Sequence, residues 1–299
     1  MNTPTLSNHQ LVYAMDAANA PVLQVDSGSE VIFETCDCFQ NQITSETQSV
    51  DSLNWDHINP ATGPLYITNA QPGDVLKVEI LAIDIDSPGV MAAIPGAGLL
   101  GDQVTTSQIK VMPIENGMAR FNEKLSLPVT PTIGVIGVAP SQGAVPCGAP
   151  DPHGGNMDNG KTTAGTTLYL PVFVDGGLLA MGDLHGLIGD GEIMVSGLEV
   201  AGRVTVRVTV LKDFHLAHPM LETESHLYTV ASHENLLTAV KTTTESMHQW
   251  VMTHTNLSFN EAGMLLSAVG NAEICQVVDP LLTARFGMAK SVLEKLARV

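Results

Sequence analysis

No lysine or arginine precedes Lys77, although acidic side chains recur from Asp16 to Asp74. Over the whole chain 13 basic residues stand against 31 acidic ones, a formal charge of −18. Binding to a phosphate backbone needs a basic stripe, and its absence argues against nucleic acid as a partner. The same absence argues against an anionic membrane surface. Also missing are a phosphate-binding loop with its Lys and Ser/Thr, and the G-x-S-x-G elbow of serine hydrolases. The cysteines Cys36, Cys38, Cys147 and Cys275 form no C-x-x-C pair and no disulfide framework, which fits reduced thiols and a cytoplasmic chain. The longest greasy stretch, Val90 to Leu100, is broken by Pro95, Gly96 and Gly98, so it cannot span a bilayer. The opening MNTPTLSNHQLVYAMDAANAP has neither a basic start nor an apolar run, so no secretory leader is expected.

What is present reads as globular and mostly β. A chain of 299 residues with 44% apolar content can bury a real core. Val204, Val206, Val208 and Val210 alternate with Thr205, Arg207 and Thr209, the period of a strand with one buried face. Further strands are expected near Val31–Phe33, Leu65–Thr68, Val75–Ile85, Thr132–Val138, Thr166–Val174, Leu178–Met181 and Ile193–Val200. Pro72-Gly73-Asp74, Asp175-Gly176-Gly177 and Ala201-Gly202 are turn signals of the hairpin kind. After about Ser232 the pattern becomes helical. Leu236, Leu237, Val240, Met247 and Val251 share one side, and Ser258-Phe-Asn-Glu261 is a capping box opening a second helix. Met288 to Arg298 suits a third. The expected fold is mainly β with α additions (α+β): a β-sandwich or barrel-like core of many short strands. A β-rich catalytic core over 1–231 and a helical C-terminal region over 232–299 are expected to form one compact unit.

The stretch from His153 to Glu192 concentrates reactive groups between glycines: His153, Asp158, Asp183, His185, Asp190 and Glu192. Asp183 and His185 lie two apart, so in extended backbone they project from one face and can address one ion. Singly, such an Asp is a turn former and such a His a surface residue. Together they point to a metal-dependent active site. Asp37 follows an apolar run and can reach the same cleft. If its segment is extended, Cys36 and Cys38 face away from it and serve as small buried residues rather than ligands. The glycine-rich Pro95–Asp102 segment suits a lid or a plain connection.

These residues resemble the acetamidase/formamidase family. HGGNMD at 153–158, TLYLPVFV after it and GDLHGLIGDGE at 182–192 carry the resemblance. FETCDCF, INPATGP, IPGAGLLGD, LETESHLYTVASHENLLTAV and SAVGNAEICQVVDP extend it over nearly the whole chain. It implies a mostly β core, hydrolysis of short aliphatic amides to acid and ammonia, and an oligomer of at least two copies. It also implies a divalent metal in some members. Two positions depart from the family pattern. Ile188 replaces the Gln that many relatives carry before GDGE, and Met194 stands where relatives often have Cys, so no thiol nucleophile is available there.

An amide resists water because resonance blunts its carbonyl and its amine leaves only when protonated. A site must polarise the oxygen, activate water and protonate nitrogen. The expected ligands are Asp37, His153, Asp158, Asp183 and His185, with zinc first and calcium at a second site as an alternative. Glu192 is the expected acid/base, with Asp190 and Glu34 as substitutes. Two rival readings remain: an amidase with a carboxylate nucleophile and a structural metal, and a non-catalytic calcium-dependent binding protein.

Overall fold

The alternation at Val204–Val208 builds the centre of the first sheet. In the computed structural model, which describes residues 3–296, Val204, Val206 and Val208 are fully buried. Arg203 faces solvent, and Arg207 is partly covered. On that outer face Arg203 pairs with Glu34 at 2.9 Å and Arg207 with Glu30 at 2.6 Å, because these residues are cross-strand partners. The strand Gly202–Leu211 lies between Glu30–Thr35 and Val75–Ile85 in a nine-stranded sheet. The sheet continues through Thr167–Pro171, Met220–Glu222, His226–His233 and Leu282–Ala289 to Asn271–Gln276.

A second nine-stranded sheet has Leu179–Leu187 at its centre, buried along nearly all its length. Thr132–Gly137 pairs along one edge of this strand. The other edge is shared by Ala61–Ile67 at its start and Leu198–Val200 at its end. Side chains from both sheets, among them Phe33, Leu65, Ile67, Val78 and Ile133, form one continuous core. Each such side chain contributes about 1.5–3 kcal/mol when fully buried, which makes the inter-sheet layer the main stabilising element.

The three turn signals are turns, but they are not hairpins. Each joins a strand of one sheet to a strand of the other: Ala61–Ile67 to Val75–Ile85, Thr167–Pro171 to Leu179–Leu187, and Leu198–Val200 to Gly202–Leu211. Tight turns of this kind stitch the sandwich together. Two strand expectations change length as well. The run expected to end at Met181 continues to Leu187, and the run expected from Ile193 is strand only over Leu198–Val200.

Helix α1, Leu236–His254, and helix α2, Phe259–Val269, pack on His226–His233 and Leu282–Ala289 through Met220, Leu227, Met247, Val251 and Phe286. The buried stripe of α1 is Ala239, Thr243, Met247 and Val251; Leu237, expected to face inward, is 76% exposed. The capping box of α2 is formed by Ser258 and Glu261. The third helix is corrected. Met288 belongs to a strand that runs to Ala289, only Lys290–Leu293 is helical, and residues 297–299 lie outside the described residues. The region after 232 also holds two strands of the first sheet, so it is not helical throughout. No helix among the described residues is long and apolar enough to cross a membrane.

Candidate metal centre and active site

A fault in one strand builds the site. Leu179 and Met181 reach the inter-sheet core, as a period of two requires, yet the next side chain to reach it is Leu184. The period breaks at Asp183, whose φ is +53°. Asp183 sits where the neighbour on one edge changes, from Ala61 opposite Gly182 to Val200 opposite Leu184. A bulge-like kink of this kind turns every later side chain to the other face. Asp183 and His185 therefore leave the core and meet on the far face, with Asp183 Oδ1 3.7 Å from His185 Nε2.

Three other elements bring a carboxylate to this imidazole. Glu199, the cross-strand partner of His185, brings Oε2 to 3.3 Å from Nε2. Glu192, in the turn after Leu187, brings Oε1 to 3.7 Å, and Asp158 brings Oδ1 to 3.8 Å. Asp158 and Glu192 also have positive φ, +43° and +47°. Such backbone is costly for residues other than glycine and persists where surrounding structure enforces it, as functional sites do. Gly134 forms the floor, since a Cβ there would stand 2.5 Å from Asp158 Oδ1 and 2.7 Å from Asp183 Oδ2. Asp279, from the turn after Asn271–Gln276, accepts a hydrogen bond from Asn156 Nδ2 at 3.0 Å and reaches the neighbourhood of Asp158. Cys38 lies within ligand-sharing distance of Asp183 and Glu199.

The charge balance is the unusual feature. Asp158, Asp183, Glu192, Glu199 and Asp279 converge, and among the described residues none pairs with Lys or Arg. Burial, followed by repulsion from neighbouring carboxylates, pushes Asp158, Asp183, Glu192 and Asp279 well above the usual carboxylate range. Burial carries Glu199 to about 7, while it lowers His185, whose imidazole the Asp183 carboxylate partly restores. Asp158 Oδ1, Asp183 Oδ1 and Glu199 Oε2 are buried with no hydrogen-bond partner. Buried orphan oxygens are expensive, and a cation satisfies them. Cys38, Asp183 and Glu199 form one set that can hold an ion; Asp158, His185 and Glu192 form another. A tetrahedral ion with bonds of about 2.0–2.2 Å separates its donors by roughly 3.3–3.6 Å, close to the spacings around Nε2. The residues fit a divalent metal.

The other expected residues are placed differently. His153 is buried, its Nε2 has no partner, and burial lowers its pKa to about 4, but it lies outside both sets. Asp37 is buried near Asp183 and Glu199, but its Oδ1 accepts the Asn41 N–H at 2.6 Å, and it too lies outside both sets. Its segment is a turn, because the strand ends at Thr35; this is why Cys38 reaches the site against the extended-backbone expectation. Glu34 points to the opposite face of the first sheet and pairs with Arg203, away from the carboxylate–imidazole cluster. Asp190 is half exposed and pairs with Arg285 at 2.5 Å.

Sequence reading missed Glu199, Asp279 and Gly134. Glu199 sits between Leu198 and Val200, where alternation predicts an outward, solvated side chain; the strand is instead covered on both faces. Asp279 precedes Pro280 and reads as a turn former. The cavity above the carboxylates, ≈ 200 Å³, has an apolar wall of Phe39, Trp55, Ile58, Ile94, Ala97 and Val195. The Pro95–Asp102 segment borders it and is tied to the Glu192 loop by the Leu99 N–H donating to Ile193 O at 2.8 Å.

Residues 16–146 and 143–270 match the model of the acetamidase/formamidase family. The structure superposes on a crystal structure of acetamidase from Bacillus halodurans with a TM-score of 0.96, at 47% identity over 98% of this chain and 99% of that one. A crystal structure of a predicted acetamidase/formamidase from Thermoanaerobacter tengcongensis gives 0.97, at 46% identity over 98% of each chain. Among curated relatives, a formamidase from Methylophilus methylotrophus is 28% identical over 64% of this chain. The chain spans 62% of that relative's length.

Proposed function

Because the chain belongs to the acetamidase/formamidase family, we propose that it hydrolyses short aliphatic amides, such as formamide and acetamide, to carboxylic acid and ammonia at the cluster around His185. The observation that carries this reading is the convergence of four buried carboxylates, the half-buried Asp279 and one imidazole without a basic partner, opening into an apolar-walled cavity. Asp158, Asp183, His185 and Glu199 are the proposed holders of a divalent ion, with the Cys38 thiol beside them. Zinc suits this mixed set of carboxylate, imidazole and sulfur; calcium would suit an all-oxygen position near Asp158, Asn156 and Asp279. When bound, the ion supplies Lewis acidity toward the amide oxygen and toward water.

The chain's own groups do the rest. Glu192 stands on a turn beside the cavity mouth, where it takes a proton from the attacking water and passes it to the departing nitrogen. Burial, and after it the neighbouring carboxylates, raise its proton affinity, the direction that suits a group which must hand a proton to the departing nitrogen. Phe39, Trp55, Ile58 and Ile94 take the acyl group and exclude water. That wall, above an acidic floor, favours neutral substrates and disfavours the carboxylate product.

Ammonia release from a panel of formamide, acetamide, bulkier amides and peptides tests the reading. Turnover confined to the short amides is expected; no turnover of any of them by metal-loaded protein overturns it. We also propose a cytoplasmic homo-oligomer of at least two copies, on the free buried thiols and on Leu237, Phe259 and Met264, which stand 64–76% exposed on the helices. Light scattering and cell fractionation check these two statements, and a monomer or an exported chain would contradict them.

A further inference from the structure

Arg285, on the strand Leu282–Ala289, is the one arginine or lysine buried among the described residues. It uses all three nitrogens. Nη2 donates to Asp190 Oδ2 at 2.5 Å, Nε to Glu273 Oε2 at 2.6 Å, and Nη1 to Asn159 Oδ1 at 3.0 Å. Glu273 shares the first sheet with Arg285, as its cross-strand partner. The other two acceptors belong to turns that lie outside that sheet, and each is next to the site. Asn159 follows Asp158; Asp190 lies two residues before Glu192.

Both site carboxylates have positive φ, which ordinary residues hold only under outside restraint. The Gly189–Glu192 turn has further ties to the same sheet. The Gly191 N–H donates to Cys275 O at 2.7 Å, and the Val277 N–H donates to Gly191 O at 3.3 Å. A rigid planar fork that fixes three acceptors at set angles is a capability of arginine that lysine lacks. A buried charge is retained at a cost in desolvation, and its best-attested use is to set register.

We propose that Arg285 is a positioning residue: through Asp190 and Asn159 it fixes the two turns that present Glu192 and Asp158 to the reacting centre. It touches neither substrate nor ion. Asp190, expected from sequence as an acid/base or ligand, is on this account the anchor of the turn. The assignment of a catalytic part to these carboxylates rests on the proposed amide hydrolysis.

The tests centre on Asp190 rather than Arg285, because Asp190 is 51% exposed and its loss leaves the guanidinium with Glu273 and Asn159. Asp190→Ala is expected to lower kcat for acetamide by about tenfold or more, with KM within about twofold, since the acyl wall is untouched. Asp190→Asn keeps an acceptor for Nη2 and is expected to retain most of the turnover. Arg285→Lys keeps the charge without the fork and is expected to lower kcat at least as far as Asp190→Ala does. A readout independent of turnover is the affinity of chelator-stripped protein for Zn²⁺ alone. It should weaken in Arg285→Lys, which frees the Asn159 turn and with it Asp158, and stay near wild type in Asp190→Ala and Asp190→Asn, which leave Asn159 on the guanidinium. Wild-type protein that binds Zn²⁺ but turns over no amide, with affinity lost in Arg285→Lys alone, supports the positioning role and removes the amidase reading. An active wild type whose Asp190→Ala variant matches it in kcat, or whose Arg285→Lys variant matches it in Zn²⁺ affinity, overturns the positioning role. Equal losses in Asp190→Ala and Asp190→Asn also overturn it, since charge at Asp190 and not the tie to Arg285 would then matter.

Discussion

Gly134 is the most revealing position to alter, because only a methyl group need be added. The residue lies within the strand Thr132–Gly137, so alanine meets no backbone penalty there. The new Cβ would stand 2.5 Å from Asp158 Oδ1, 2.7 Å from Asp183 Oδ2 and 2.7 Å from His185 Cε1. Ordinary contact begins near 3.4 Å, so these groups must retreat by about 0.7–0.9 Å. All three belong to proposed holders of the ion. A displacement near 1 Å costs about a hundredfold in rate where geometry is catalytic, or about 2.7 kcal/mol of barrier. The cost to the fold is about 1–3 kcal/mol for overpacking, within the stability of a domain whose Ile133, Val135 and Ile136 remain buried. Gly134→Ala should therefore stay folded by circular dichroism, lose roughly a hundredfold in kcat/KM for acetamide, and bind zinc about 10–100-fold more weakly. Wild-type turnover and zinc content in a folded Gly134→Ala protein would refute the placement of the reacting centre above this glycine.

Other outcomes follow from the same geometry. Glu192→Gln should cut turnover by about a hundredfold or more while metal content stays near wild type, as elemental analysis would show; loss of metal would make Glu192 a ligand instead. Glu34→Gln should leave turnover within about twofold, because its exposed pair with Arg203 contributes roughly 0–1 kcal/mol and lies on the wrong face; a large loss of activity would contradict that placement. Metal-free protein should lose stability as pH rises. Burial lifts Glu199 from 4.5 to about 7, so the folded chain holds a proton that the unfolded chain releases across that window, and the other raised carboxylates extend it upward. Tm of stripped protein should fall between about pH 5 and pH 8, a loss that a divalent ion reverses; a rising Tm would show that the carboxylates are already compensated.

The β character, the long strand Val75–Ile85 and the capping box of α2 were legible because each depends on local pattern. Asp158, Asp183, His185 and Glu192 were legible as a group because glycine-flanked carboxylates and imidazoles in a short segment are rarely idle. What the sequence could not display was the break in period at Asp183. It arises from a change of neighbour along one strand edge, a long-range event with no local signature. Glu199 was hidden for a related reason: its alternation is that of a half-solvated strand, yet its side chain is buried beside Cys38 and Asp183. The turn signals at Gly73, Gly176 and Gly202 gave the positions of reversals but not the sheet to which the chain returned. The pairing of Glu34 with Arg203 and of Asp190 with Arg285 was not legible, because each guanidinium is distant in sequence.

Metal content and ammonia release from acetamide, measured on the same preparation before chelation, after chelation and after zinc is restored, decide whether the carboxylate–imidazole cluster around His185 is a divalent-metal amidase centre. Turnover should disappear with the metal and return with it in wild-type protein, whereas Asp183→Ala and His185→Ala should recover neither. Full turnover by protein shown to be metal-free would rule such a centre out.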